Sequence, residues 1–210
     1  MKLVVFGATG GTGRRVVERG LAEGHEVVAV ARKPEAITTT HAKLRVVRGD
    51  VLDPASVAAA ITGADAVLSS VGPANNKQPG TLISEGMKHI VAACERVGVK
   101  RFVFESGLMV GDGSGLSLFS RMGVSIYRSM NKALCTDKRL AEATITASSL
   151  DWVIVRPPNL NDAAPRGTFL HGVDAPVSAA RSMSHADVAA FMITCAADPA
   201  LARTIQTIGH

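Results

Sequence analysis

Seven residues near the start of the chain, Gly7-Ala8-Thr9-Gly10-Gly11-Thr12-Gly13, follow a short apolar run and open a stretch with helical spacing. Gly7, Gly10 and Gly13 recur at every third position. In such a loop the first glycine permits a tight turn and the second lets backbone approach a pyrophosphate. The third allows close packing of helix on strand. Free amides at the helix N-terminus then attract the anion. A glycine-rich stretch alone can be only a turn, but the strand before it and the helix after it are the context a dinucleotide loop requires. Gly7, Thr9, Gly10, Gly11, Thr12 and Gly13 are therefore candidate cofactor residues.

The end of the second apolar run chooses between cofactors. An acid there would bind the ribose hydroxyls of NAD. This chain has Ala31-Arg32-Lys33, with no carboxylate until Glu35. Arg32, flanked by Arg14, can pair bidentately with a 2′-phosphate, so NADPH or NADP is expected in preference to NAD. The alternative is a pair of solvated surface cations. Asp50-Val51, after the third run, is placed to meet an adenine, although Asp50 could equally be a turn residue. Val71-Gly72, after the fourth run, offers close backbone approach.

These residues need a scaffold, and the hydrophobic pattern supplies one. Apolar runs at 3–6, 27–31, 44–47, 66–70, 102–104, 152–155 and 204–208 read as strands. Stretches at 11–23, 54–62, 80–97, 131–148 and 185–197 have helical spacing. Asp53-Pro54 reads as an N-cap followed by proline at the first helical position. Gly24, Gly63 and Gly98 sit where left-handed C-caps belong. Ser184 and Asp187 form a capping-box-like start to the last helix. Such alternation predicts an α/β fold, a single Rossmann domain over 1–210 with a doubly wound, mostly parallel sheet and helices on both faces. Residues 107–130 and 157–182 depart from it and are expected to form long functional loops around a substrate.

The 210 residues suit one such domain, and 47% apolar with 20% charged residues is ordinary for a globular core. No apolar run reaches the length of a membrane span, so no membrane partner is expected. The first run stops at Gly7, too short for a signal peptide, and a cytoplasmic location follows as the expectation. The net charge of +5 comes from dispersed basic residues without interleaved aromatics, which argues against nucleic acid. Cys94, Cys135 and Cys195 lack metal-ligand spacing, so no metal site is expected and the thiols read as core residues.

The glycine loop, Gly49-Asp50-Val51, Ser106 after the fifth strand and Arg156-Pro157-Pro158 together resemble the atypical short-chain dehydrogenase/reductases with an NmrA-like NAD(P)-binding domain. Ser84-Glu85-Gly86, the double proline and Ser184-His185-Ala186-Asp187 make the chain similar to the biliverdin-IXβ reductase/flavin reductase branch. The resemblance covers nearly the whole chain but is poor over 107–136. It implies cofactor contacts at Gly7, Thr9, Gly10, Thr12, Gly13, Arg32, Asp50, Val51, Gly72, Ser106 and Pro157. The substrate would lie near Leu108, Met109, Pro158 and Asn159. That branch has His after the double proline where this chain has Asn159, so a histidine role does not carry over.

The superfamily's Tyr-x-x-x-Lys dyad is absent. Four residues after Tyr127 comes Asn131, and four before Lys138 comes Leu134. Lys138 occupies the family's lysine position, but it is also spaced to pair with Glu142 on a helix surface. Reduction of a ketone needs a positioned acid, and the hydroxyl of Ser106 is too weak to act alone. Reduction of a flavin, a quinone or a biliverdin-like tetrapyrrole delocalises charge and asks mainly that the acceptor be held flat. The expected activity is thus an NADPH-dependent reductase of a planar conjugated acceptor, with Ser106 and Lys138 as catalytic candidates. Leu108, Met109, Val110, Leu116, Phe119, Met122 and Ile126 would be apolar walls, or else a lid or subunit contact. A non-enzymatic NADP(H) sensor comes second and an epimerase or dehydratase third. A monomer or a homodimer is compatible with the sequence.

Overall fold

A computed structural model describes residues 1–74, 76 and 78–210. Its strands are β1 (Lys2–Phe6), β2 (Glu26–Ala31), β3 (Leu44–Arg48), β4 (Ala66–Ser69), β5 (Arg101–Glu105), β6 (Asp151–Arg156), β7 (Leu160–Asn161), β8 (Leu170–Gly172), β9 (Met183–Ser184) and β10 (Thr204–Gly209). The helices are α1 (Gly11–Ala22), α2 (Pro54–Ile61), α3 (Leu82–Val97), α4 (Leu118–Met130), α5 (Lys132–Thr146) and α6 (His185–Ala197). Eight strands form one sheet in the order β3-β2-β1-β4-β5-β6-β10-β8, parallel throughout except for β8 against β10. β7 and β9 make a separate parallel pair. This is the doubly wound Rossmann arrangement.

Alternate side chains of each strand feed two apolar layers. Val4 and Phe6 pack with Val57, Ile61, Ile83, Met87, Ile90 and Ile145 of α2, α3 and α5. Leu3 and Val5 pack with Val16, Val17, Leu21, Val188, Phe191 and Met192 of α1 and α6. Burial on both faces explains why the strands read as continuous apolar runs. Cys94, Cys135 and Cys195 are buried free thiols within or beside these layers. Burial pushes the Cys94 and Cys195 thiols up to about 12.

The strand order reverses between β1 and β4, so a crevice opens beyond their carboxyl ends. Two further details aim residues at it. Asp137 on α5 accepts bonds from the amides of Ile83 and Ser84, capping α3 from a distance. Glu142, also on α5, grips Arg156 at the end of β6, with Arg156 Nε donating at 3.1 Å.

The two stretches expected as loops carry more structure than that. Residues 107–130 contain a short helical turn over Leu108–Val110 and the thirteen-residue α4, opened by Ser117, whose hydroxyl accepts from Ser120 N. The helix escaped the sequence reading because its apolar residues do not all face a core. Leu118, Phe119, Met122, Ile126 and Met130 are exposed, and Val124 alone of the apolar set is buried. Residues 157–182 hold β7 and β8. Among the described residues no helix is long and apolar enough to cross a membrane.

Candidate functional site

Gly7 leaves β1 with φ of +78°, a conformation that side chains rarely adopt, and a Cβ there would meet Ser70 O at 2.7 Å. Glycine is required at this turn on both counts. Its carbonyl accepts from Gly10 N at 2.9 Å, and a Cβ on Gly13 would fall 2.1 Å from that same carbonyl. The loop is thereby locked against α1. Gly10 caps α1 without any side-chain hydrogen bond, and the first turn holds no acid. The amides and the positive end of the helix are left for an anionic ligand.

A cavity of about 310 Å³ runs over this loop, lined by Gly7, Thr9, Gly10, Arg32, Asp50, Val51 and Gly72. Arg32 is exposed at its rim and makes no ion pair among the described residues. Arg14 is exposed and does not line the cavity. Asp50 lines it while its Oδ1 accepts from Leu52 N at 3.0 Å, so the turn role and the cavity position coexist. A Cβ on Gly72 would meet nothing within 4 Å among the described residues, leaving space for a ligand beside its backbone.

Gly72 and Pro73 also border a second cavity of about 370 Å³, lined by Glu105, Ser106, Met109, Tyr127, Lys138, Pro157 and Asn159 among others. Met109, Tyr127, Pro157, Pro158 and Asn159 continue into a third of about 260 Å³ beneath α4, with Leu108, Phe119, Gly123 and Val124. The three cavities form one groove along the carboxyl edge of the sheet. Ser106 is 3% exposed and its hydroxyl has no hydrogen-bond partner among the described residues. A buried orphan of this kind fits a polar ligand group. The residues present therefore suit a dinucleotide: an uncapped helix end, a glycine cradle, a cation at the rim and an unpartnered hydroxyl deeper in.

Lys138 turns inward and donates from Nζ to Ser106 O. The surface pair with Glu142 does not form, because Glu142 is held by Arg156. Burial pushes the Lys138 ammonium below its ordinary value, against the pull of Glu105 and Glu142. Burial likewise pushes the Tyr127 hydroxyl up.

Thr12 does something the glycine-loop pattern does not anticipate. Its side chain is buried, and its hydroxyl donates to Glu105 Oε1 at 3.0 Å and lies 2.9 Å from His185 Nδ1. Only the backbone of Thr12 remains for a ligand. Gly11 serves this contact, since a Cβ there would strike the His185 ring at 2.6 Å. Burial raises the Glu105 carboxyl above the usual carboxylate range, opposed by Lys138 and the Thr12 hydroxyl. Burial lowers His185, opposed by Asp162 and helped by Arg15. His185 also opens α6, and Ser184 caps that helix by accepting from Asp187 N at 3.0 Å.

The groove thus brings together Gly7, Thr9, Gly10, Arg32, Asp50, Val51, Gly72, Ser106, Leu108, Met109, Lys138, Pro157, Pro158 and Asn159. Gly11, Thr12 and Gly13 stand behind it. Of the expected apolar walls, Phe119 joins Leu108 and Met109. Val110 and Leu116 are buried outside the lining, and Met122 and Ile126 are exposed and do not line it. Glu105 was missed by the sequence reading. The available signal was a carboxylate ending an otherwise apolar parallel strand, at the edge where such sheets bind ligands.

A model of the NAD(P)H-binding family matches residues 7–199. An uncharacterised chloroplastic protein of Arabidopsis thaliana is 31% identical over 179 residues, 80% of this chain and 62% of its own length. A photosystem II assembly factor of Synechocystis is 27% identical over 159 residues, 74% of this chain and 44% of its own length. The chain therefore spans only about half the length of these curated relatives. Among solved structures, an anaerobilin reductase of Escherichia coli O157:H7 superposes with a TM-score of 0.80 at 27% identity, covering 100% of this chain and 97% of that one.

Proposed function

The chain belongs to the NAD(P)H-binding family, and on that premise we propose that it is an NADPH-dependent reductase of a planar conjugated acceptor such as a flavin, a biliverdin-like tetrapyrrole or a quinone. The observation that carries the reading is the continuity of the groove. The dinucleotide end, the Ser106–Lys138 corner and the apolar cavity under α4 share lining residues from one to the next. When bound, the nicotinamide supplies hydride.

The chain's own residues bind and orient. Gly7, Thr9 and Gly10 with the α1 amides would hold the pyrophosphate, and Asp50 and Val51 would flank the adenine. Arg32 favours a 2′-phosphate, because a guanidinium pairs with phosphate in a bidentate fork and no acid competes at that strand end. Ser106 would hydrogen-bond the nicotinamide or the acceptor. Lys138 fixes the Ser106 backbone and adds positive potential where reduction builds negative charge. Leu108, Met109, Phe119, Pro158 and Tyr127 offer apolar surface against a flat ring system, and Asn159 a polar edge. Similarity to the anaerobilin reductase supports a tetrapyrrole-sized acceptor over a sugar nucleotide.

The second reading is an NADP(H) sensor without turnover. The missing Tyr-x-x-x-Lys dyad favours it, as does the assembly-factor relative. Following NADPH oxidation with FMN, riboflavin, biliverdin and a naphthoquinone, alongside direct titration of NADPH and NADH, tests the proposal. Turnover with at least one acceptor supports the reductase. Tight NADPH binding with no oxidation by any of them supports the sensor.

A further inference from the structure

The absence of the family dyad suggests a site without an acid, yet one carboxyl group sits on its wall. Glu105 is 9% exposed, ends β5 beside Ser106, and borders the cavity that also holds Lys138. It is tied to the opposite side of the sheet edge by a continuous chain. Thr12 Oγ1 lies 3.0 Å from Glu105 Oε1 and 2.9 Å from His185 Nδ1. The His185 ring in turn borders a separate open cavity of about 630 Å³ between α1 and the 161–167 segment, with Arg15 and Asp162. We propose that Glu105 is the proton donor of the site and that Thr12 and His185 form the relay that reloads it from solvent. The inference rests on the reductase reading above and adds to it a source for the proton that the acceptor takes up with the hydride.

The hydroxyl of Thr12 has one proton and sits between two titratable groups, so the chain has two self-consistent arrangements. In one, the neutral carboxylic acid of Glu105 donates to Thr12 Oγ1 and Thr12 donates to His185 Nδ1. In the other, His185 Nδ1–H donates to Thr12 and Thr12 donates to the Glu105 carboxylate. Passage from the second to the first moves one proton from the histidine to the carboxylate, and His185 Nε2 takes one from solvent water at the open cavity, which leaves as hydroxide.

The balance with reduction is then complete. The acceptor gains a hydride and a proton, the O–H bond of Glu105 breaks, and a new O–H, N–H or C–H bond forms on the acceptor. The charges facing the relay come from every element around it: Lys138 of α5 against Glu105, and Arg15 of α1 and Asp162 against His185. Burial raises the Glu105 carboxyl, opposed by Lys138 and Thr12, and a raised value is the direction a proton donor needs. Ser106 is too weak an acid to donate, and Lys138 commits one ammonium proton to the Ser106 carbonyl.

The test combines Glu105→Gln, His185→Ala and a readout independent of turnover. Infrared difference spectra of the whole protein across pH should contain the carbonyl stretch of a neutral carboxylic acid, lost in Glu105→Gln. With acceptors that wild type reduces, Glu105→Gln should lower kcat by about 10²- to 10⁴-fold, the span of general acid catalysis. It should also abolish the fall of kcat at alkaline pH while NADPH affinity stays unchanged. His185→Ala should lower kcat and be rescued by added imidazole, which a merely structural histidine would not be.

Full activity in Glu105→Gln, or a His185→Ala defect that imidazole leaves untouched, would overturn the relay. If wild type itself fails to oxidise NADPH whichever acceptor is offered, the reductase reading falls and the relay's role falls with it. That outcome is distinct because the wild type, not the variant, is inactive.

Discussion

Asp137 on α5 and Ser84 on α3 are 53 residues apart, yet the Ser84 amide donates to Asp137 Oδ1 at 3.0 Å while Ile83 donates to Oδ2 at 2.9 Å. A buried carboxylate thus satisfies the N-terminus of a helix to which it does not belong. The neighbouring residue is Lys138, whose reach to Ser106 O depends on the same placement of α5.

Removing that cap should cost stability and alignment together. Asp137→Ala leaves two buried amides unpaired, at roughly 1–3 kcal/mol for the lost charge-assisted bonds. Thermal unfolding should show a lower Tm, and turnover should fall even at temperatures where the variant is folded.

Arg32 should discriminate between cofactors. Loss of one hydrogen-bonded charge pair is worth about 1.5–3 kcal/mol, or roughly tenfold to more than a hundredfold in affinity. Titration of Arg32→Ala should show that increase in Kd for NADPH and little change for NADH. Equal weakening of both would remove the 2′-phosphate assignment.

Gly13, behind the groove, and Gly72, on its lining, should behave oppositely. Gly13→Ala drives a Cβ to 2.1 Å from Gly7 O and should destabilise the fold itself. Gly72→Ala meets nothing within 4 Å among the described residues, so its Tm should match wild type while NADPH binding weakens, because the added methyl enters the space beside the ligand. Tm and Kd measured side by side separate the two effects.

Asp187 gives the fold an acid dependence. Burial alone would raise its carboxyl, but the amides of Arg166 and Gly167 and the Ser184 hydroxyl hold it below the usual range. A depressed folded-state pKa stabilises above the unfolded value of about 3.9 and loses that contribution as pH falls through the lower, folded one. The Tm gap between wild type and Asp187→Asn should therefore be full at neutral pH and shrink below about pH 4.

The sheet and the glycine loop were legible in the sequence because both are local. Seven apolar runs mark seven strands, and the loop lies between one of them and a helix. α4 was not legible, since most of its apolar side chains face outward and give no one-sided stripe toward a core. The inward turn of the Thr12 side chain was hidden for another reason. Its partners, Glu105 and His185, lie 93 and 173 residues away, and only the closing of the sheet brings them to it. Lys138 was named, but which neighbour it would choose depended on Arg156 claiming Glu142 first.

Hydride delivery to a flat acceptor held under α4 is tested most directly by a single-turnover measurement. Enzyme loaded with NADPH is mixed anaerobically with a limiting amount of FMN or biliverdin, for wild type and for Gly123→Phe. A Cβ at Gly123 finds open space within 4 Å, so the phenylalanine fills the cavity rather than the core. The expected result is one NADPH oxidised per acceptor reduced by wild type, with slower reduction but intact NADPH binding in the variant. NADPH that stays bound and reduced in wild type, or equal rates in both proteins, would contradict the claim.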